Sequence, residues 1–101
     1  MALALTEGNF ASEVLESSVP VLVDFWAKWC GPCQMMGQVI EDKIQPARPE
    51  LDIIKVDVDK CPALAVRFGV QSIPDILVMK GGKVTKEFIG VTSAEEVLAA
   101  L

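Results

Sequence analysis

The sequence predicts an α/β domain in which helices cover both faces of a mixed β-sheet. Two observations favour this class: segments of helical periodicity alternate with short apolar, β-branched segments, and Gly and Pro punctuate them at short intervals. The first half reads as a β-α-β unit and the second as a hairpin followed by a helix, which together make a three-layer α/β/α sandwich. No linker, repeat or low-complexity segment interrupts this pattern, so we expect a single domain over residues 1–101.

The first half of the chain alternates between the helical and the strand period. Residues 7–17 have apolar side chains at helical spacing after a capping Thr6, and residues 21–27 form the apolar, β-branched and aromatic run of a buried strand. Residues 33–45 carry one apolar helical face, and the prolines that follow end this helix. Residues 51–58 return to a period of two and predict the next strand.

The second half predicts a short helix, a hairpin and a final helix. The short helix begins at Pro62 and ends before Gly69. Residues 76–79 and 84–89 are strand-like and flank two consecutive glycines, which suit a tight turn with positive φ. Ser93 caps the final helix, whose first turn contains two glutamates that favour the positive end of the helix dipole.

Composition excludes several classes of function. Nine basic against fourteen acidic residues give a net charge of −5 without a basic run, so we expect no nucleic-acid partner. The apolar stretches are too short for a membrane helix, and the first five residues lack the basic start of a secretory signal; we therefore expect no membrane partner and a cytoplasmic location. The absence of histidine removes Ser-His and Cys-His schemes, so chemistry must depend on thiols, carboxylates and lysines.

The candidate chemistry lies in a cysteine pair with a two-residue spacer. Cys30 and Cys33 flank Gly31-Pro32 where a predicted strand ends and a predicted helix begins. Free N–H groups and the helix dipole at this end stabilise a thiolate, which lowers the pKa of Cys30 below that of a free cysteine. We therefore predict that Cys30, from an exposed turn, attacks a substrate disulfide, and that the more buried Cys33 resolves the mixed disulfide.

Two other interpretations of the cysteines stay open at this point. Cys30, Cys33 and Cys61 with a carboxylate would make a four-ligand zinc site, but closed zinc sites normally use a second Cys or His pair that this chain lacks. A purely structural disulfide between Cys30 and Cys33 would close too short a loop to remove much chain entropy. Thiol–disulfide exchange is favoured over both, and we expect no metal.

The chain resembles the thioredoxin family over essentially its whole length. The matching residues are Val23-Asp-Phe-Trp-Ala-Lys-Trp-Cys-Gly-Pro-Cys33, Lys55, Ser72-Ile-Pro74 and Gly90. This resemblance implies the thioredoxin fold, with a central mixed sheet of about five strands and four helices. It also implies a monomeric electron carrier that reduces protein disulfides, that a thioredoxin-reductase-type enzyme reduces again, and that needs no cofactor besides the Cys30–Cys33 disulfide.

The resemblance further implies which residues shape the substrate site. Pro74 is expected to be cis and to face the cysteine pair, which leaves the backbone of Ile73 to bind an extended substrate. Trp29 and Gly90 are expected to shape the surface around the dithiol. Gly31 allows the close approach of a substrate peptide, and Pro32 fits the first helical turn, where its missing N–H costs nothing.

Asp24 is the candidate base. A carboxylate within the apolar run of residues 21–27 is desolvated, and desolvation raises its pKa toward neutrality. The resemblance places it beneath Cys33, which it would deprotonate through water, with Lys55 as its electrostatic neighbour. The alternative is a carboxylate that reaches solvent at the edge of the strand.

At three places the sequence departs from the family, which limits how far the family's residue roles apply to this chain. Gly37-Gln38 replaces the proline that usually kinks the active-site helix, so a kink is no longer required. Asp75 replaces a neutral residue after Pro74; it either faces the pair and disfavours the Cys30 thiolate or points away as a solvated residue. Cys61 at a helix N-cap is either a second redox-sensitive thiol or, as we favour, an inert packed one.

Two rival functions remain at this point. A binding module with an incidental dithiol would not need an intact Cys-Gly-Pro-Cys motif, and the motif therefore argues against it. A thiol oxidase or disulfide isomerase would use the same cysteines at a less negative potential. The Gly-Pro spacer and the lack of a signal segment favour a reductase.

Overall fold

The computed structural model describes residues 2–4 and 19–101. Within them lie five strands, three α-helices and a π-helical turn that continues the first helix. The strands are β1 (Ala2–Ala4), β2 (Val21–Trp26), β3 (Asp52–Asp57), β4 (Asp75–Lys80) and β5 (Lys83–Ile89). The helices are α1 (Gly31–Val39), α2 (Pro62–Arg67) and α3 (Ala94–Ala99), and the π-helical turn covers Ile40–Ile44.

The strands form one mixed sheet with the order β1-β3-β2-β4-β5. Strands β1 and β2 both pair in parallel with β3, whereas β4 runs antiparallel to β2 and β5. The register places Asp24 in the central strand directly between Lys55 of β3 and Ile76 of β4. The carboxylate therefore lies in the middle of the sheet rather than at an edge.

Helices cover both faces of the sheet, because side chains of alternating strand residues point to opposite sides. On one face α1, the π-helical turn and α3 enclose a core that includes Leu22, Met36 and Val97. On the other face α2 packs Leu64 over a second core around Phe25. Asp24 follows Leu22 by two residues in β2, so its side chain points to the same face of the sheet, which is the face that α1 covers.

The elements agree with the predictions in most places and differ in three. The four predicted strands are present, but the sequence analysis did not assign β1, which pairs through its backbone at the sheet edge. The described residues contain three α-helices rather than four, and the helix predicted over residues 7–17 lies outside them. The helix predicted over residues 33–45 begins earlier, at Gly31, and passes into the π-helical turn after Val39.

Local signals fixed several element ends as expected. Ser93 caps α3, and its Oγ accepts a hydrogen bond from the backbone N–H of Glu96. Gly81 and Gly82, in the β4–β5 turn, both have positive φ, at 60° and 79°. No helix in the described part of the chain is long and apolar enough to cross a membrane.

Candidate active site

The two cysteines of the motif are joined at the N-terminus of α1. Cys30 is the N-cap residue, with extended backbone, and its Sγ accepts a hydrogen bond from the N–H of Cys33 at 3.2 Å. The two residues form a disulfide, and their Cα atoms lie 5.2 Å apart. Since the N–H of Cys33 points at Sγ of Cys30, negative charge on that sulfur after reduction is stabilised where the helix dipole is positive.

Both cysteines are buried, which corrects the expectation of an exposed Cys30. Cys30 is 5% exposed and Cys33 is 3% exposed. They pack with Ala27 in a small apolar cluster, and Val58 and Ile73 border it. The turn that holds Cys30 is covered because the loop before β4 folds over it.

That loop places a backbone edge beside the disulfide. The Ile73–Pro74 bond is cis, as the resemblance implied, and the carbonyl oxygen of Ile73 lies 3.9 Å from Sγ of Cys30. The N–H of Gly90 donates to the carbonyl oxygen of Pro74 at 2.8 Å, and Gly90 has a φ of +85° that other residues rarely adopt. At Gly31 a Cβ would meet no atom within 4 Å, so the space beside this residue of the motif is open.

Trp29 lies beside the disulfide and is held by a residue that the sequence analysis missed. Its ring is 71% exposed, and its Nε1 donates to Oδ2 of Asp59 at 2.9 Å. Asp59 follows β3, and nothing in its local sequence distinguishes it from other surface acids. Only the pairing of β2 with β3 brings it to the active-site end of the sheet.

Asp24 and Lys55 meet on the same side of the sheet as Cys33. Asp24 is 1% exposed, and neither of its carboxylate oxygens has a hydrogen-bond partner among the described residues. Burial raises the pKa of Asp24 to about 6, and the positive charge of Lys55 opposes part of that rise. The alternative of a carboxylate that reaches solvent is therefore wrong. The Lys55 ammonium lies over the Trp26 ring, 4.5 Å from its centroid.

Two cavities that share part of their lining lie beside this carboxylate. The smaller, of about 10 Å³, borders Asp24 and has room for about one water molecule. The larger, of about 130 Å³, is more open and borders Cys33. Gly37, Glu41 and Lys55 line both cavities. The sequence analysis did not single out Glu41, which looks like any exposed helix glutamate.

Asp75 lies on the opposite face of the sheet from Asp24. It pairs with Phe25 on β2 and is 1% exposed, so the interpretation as a solvated residue is wrong. Burial first, then the approach of the Glu87 carboxyl group, raises the pKa of Asp75 to about 7. Neither oxygen of Asp75 has a donor among the described residues, so only a proton can join the two carboxyl groups.

The fold does not bring the three cysteines together, which argues against a zinc site made of them. Cys61 is buried in the core that α2 covers, whereas Cys30 and Cys33 belong to a separate cluster. Across residues 2–4 and 19–101, no group of three or more His, Cys, Asp or Glu side chains is close enough to hold a metal ion. Cys61 lies at the N-cap of α2 as predicted, with its side chain packed in the core.

Comparison with known proteins decides the family. The thioredoxin family model matches residues 1–101. The chain belongs to the thioredoxin family. Over 85 aligned residues it is 47% identical to a thioredoxin of Chlorobaculum thiosulfatiphilum, and the alignment covers 84% of this chain and 79% of that protein. Over 90 aligned residues it is 42% identical to thioredoxin 1 of Synechococcus elongatus, and the alignment covers 89% of this chain and 84% of that protein.

A third thioredoxin relative has a longer chain. The bifunctional thioredoxin reductase/thioredoxin of Mycobacterium leprae is 40% identical over 101 residues, which cover all of this chain and 22% of that protein. Family membership and the Cys30–Cys33 disulfide establish the thioredoxin fold, with its mixed sheet, and the activity. This thioredoxin is a thiol–disulfide oxidoreductase of the protein-disulfide reductase type.

Proposed function

We propose that this thioredoxin reduces protein disulfides with Cys30 as nucleophile, Cys33 as resolving thiol and Asp24 as base. The observation that carries the proposal is the hydrogen bond from the N–H of Cys33 to Sγ of Cys30. It gives the two sulfurs different environments, because within the described part of the chain Cys30, and not Cys33, receives a backbone donor at the helix N-terminus. Cys30 is thus the thiol that ionises more readily.

In the first step the reduced protein attacks its substrate. The Cys30 thiolate bonds to one sulfur of a substrate disulfide, the substrate S–S bond breaks, and the other substrate sulfur leaves as a thiolate that takes a proton from solvent. The open space above Gly31 admits the substrate chain. The backbone of Ile73, held beside Cys30 by the cis-Pro74 loop and by Gly90, supplies polar groups for an extended peptide.

In the second step Cys33 closes the cycle. Its thiol gives its proton to Asp24 through a water molecule, and the resulting thiolate attacks Sγ of Cys30. The bond between Cys30 and the substrate breaks, the second substrate sulfur leaves as a thiolate, and the Cys30–Cys33 disulfide forms. The protein is oxidised by two electrons and the substrate disulfide is reduced by two. The raised pKa of Asp24, about 6, allows it both to accept this proton and to release it near neutrality.

The oxidised carrier then needs a dithiol or flavin-linked reductase. A relative in which a thioredoxin reductase and a thioredoxin share one chain supports a reductase of that type as the partner. We further propose that the protein acts as a monomeric, single-domain carrier in the cytoplasm. The net charge of −5, without a basic run, supports protein rather than nucleic-acid partners.

The test measures reduction of insulin disulfides by dithiothreitol with and without the protein. Cys30→Ser should abolish the acceleration, and Cys33→Ser should instead accumulate a mixed disulfide that mass spectrometry detects. Cys61→Ser is the matched control and should retain activity, since Cys61 is buried in the core on the other face of the sheet. Acceleration that survives in Cys30→Ser would refute the assigned dithiol mechanism.

A further inference from the structure

Glu41 lies at the one place where the two cavities beside the active site adjoin. Gly37, Glu41 and Lys55 are the three residues that line both the cavity at Asp24 and the cavity at Cys33. Asp24 is buried, so a proton that passes between it and Cys33 through these cavities passes these three residues. Glu41 is the acidic member of the group and is exposed, which puts it in exchange with bulk water.

Helix geometry directs Glu41 toward the Lys55 ammonium. Cys33, Gly37 and Glu41 are spaced four residues apart, so they follow one another along one side of the helix. A Cβ on Gly37 would lie 4.0 Å from Nζ of Lys55, so the ammonium lies against the middle of this row. Because Glu41 lines both cavities together with Gly37 and Lys55, it lies on the side of this helical segment that faces the ammonium.

The Lys55 side chain therefore borders a cavity that two acidic residues, Asp24 and Glu41, also line. Asp24 is its direct neighbour across the β2–β3 ladder, and Glu41 approaches from the helix. The ammonium lies over the Trp26 ring. Among the described residues, the ionisable groups on this side also include Cys33 on the helix, Asp57, whose Oδ1 accepts from the N–H of Asp59, and Lys86 of β5, which pairs with Val78 on the same sheet face.

We propose that Glu41 is a positioning residue of the thiol–disulfide reaction, which draws the Lys55 ammonium toward the junction of the cavities and so sets how readily Asp24 exchanges the Cys33 proton with solvent. The inference rests on the proposed role of Asp24 as base. An ionised Glu41 pulls positive charge away from Asp24 and adds a negative charge on the same side. Both effects keep the Asp24 proton more firmly bound than Lys55 alone would allow.

The test compares two variants that remove the same charge from the same turn. Glu41→Gln removes the carboxylate at the cavity junction, whereas Asp42→Asn removes its neighbour, which accepts a hydrogen bond from Gln38 and lines neither cavity. The Asp24 carboxyl is titrated by carbon-13 NMR, and the resolving step is timed in single turnovers from pH 5 to 8. Glu41→Gln should lower the midpoint of the Asp24 titration and the midpoint of the pH–rate profile by about 0.3–0.5 pH unit at low salt. Asp42→Asn should leave both midpoints within about 0.1 unit of their original values.

A further comparison tests whether Glu41 acts through Lys55. In a Lys55→Gln background the shift caused by Glu41→Gln should fall to less than half, because only the direct effect of the Glu41 charge is left. Equal shifts in Glu41→Gln and Asp42→Asn would overturn the proposal, since they would reflect net charge alone. A shifted Asp24 titration with an unchanged rate profile would overturn instead the role of Asp24 as base, and with it the kinetic part of this inference.

Discussion

Asp24 and Lys55 are direct neighbours across two parallel strands, yet Asp24 is buried with no hydrogen-bond donor among the described residues, whereas Lys55 borders the cavities beside the active site. The strand pairing sets this arrangement, because it fixes the two Cα positions and leaves the lysine stem free to carry its charge outward. The result is a carboxyl group whose pKa is raised by burial to about 6, while the positive charge of Lys55 opposes part of that rise. We expect a buried acid of this kind to affect both turnover and stability.

Replacement of Asp24 by Asn should slow the resolving step. In the unaltered protein the rate of resolution should rise as pH increases through about 6, where Asp24 ionises and becomes able to accept a proton. In Asp24→Asn the rate should be lower and should lose this rise. Attack by Cys30, measured in a Cys33→Ser background, should be almost the same with and without Asp24→Asn. Matching pH profiles of resolution would mean that Asp24 has no role as base.

The same replacement should stabilise the fold above pH 6. The folded pKa of about 6 exceeds the value of 3.8 expected in the unfolded chain, so the folded state binds the proton more tightly and loses stability as pH rises from about 4 to 6. Removal of the charge should recover up to about 3 kcal/mol at pH 7, less the cost of burying an amide. Urea unfolding at pH 4 and pH 7 measures the difference, and an equal effect at both values would contradict it.

Asp75 should make a second, independent contribution to pH dependence. Its folded pKa of about 7 again exceeds 3.8, so the stability attributable to it should fall from about pH 4 to 7 and then level off. Asp75→Asn should flatten that part of the profile. Glu87→Gln should shift it to lower pH, because a like charge beside Asp75 is lost. Glu95→Gln, which removes a charge from α3 instead, is the control and should leave the profile in place.

The charge on Asp75 should also influence the nucleophile above neutrality. If the ionised carboxylate disfavours the Cys30 thiolate, Asp75→Thr should lower the pKa of Cys30 by somewhat less than one unit at low salt. Ultraviolet absorbance of the thiolate measures this pKa, and the difference should shrink as salt is added. An unchanged or higher pKa in the variant would show that Asp75 does not act on Cys30.

The hydrogen bond between Trp29 and Asp59 should limit motion of the exposed indole. Asp59→Ala should lower the steady-state anisotropy of Trp29, read in a Trp26→Phe background, and reduce the rate with a protein substrate, with only about 0.5 kcal/mol lost in stability. Asp59→Asn keeps an acceptor oxygen without the charge. If Asp59→Asn restores the anisotropy, the hydrogen bond limits the motion of the indole. If Asp59→Asn behaves like Asp59→Ala, the negative charge limits it.

The cap of α3 should contribute measurably to stability. Ser93→Ala removes the acceptor for the N–H of Glu96 and should cost about 1 kcal/mol in the free energy of unfolding. Ser93→Asp supplies another acceptor and should recover most of the loss. Disulfide reduction should be unaffected in both variants. A loss that Asp does not recover would indicate a cause other than capping.

Local features of the sequence were sufficient for the chemistry and for most of the elements. The Cys30–Cys33 spacing, the proline in the first helical turn and the Ser93 cap act within one or two helical turns, so their effect can be predicted without the rest of the fold. The burial of Asp24 was predictable for the same reason, because its immediate neighbours along the strand are apolar. The change from α-helix to π-helical turn at Ile40 had no such local signal.

Contacts between distant segments were decided only by the tertiary structure. The Trp29–Asp59 hydrogen bond joins residues 30 positions apart in the sequence. The approach of Glu87 to Asp75 depends on the β4–β5 register, because a shift of one residue would turn the Glu87 side chain to the other face of the sheet. The meeting of Asp24, Lys55 and Glu41 requires a strand pair and the helix above it at once. Such contacts involve surface acids that resemble any other in sequence, since their electrostatic effect arises only when packing removes the water between them.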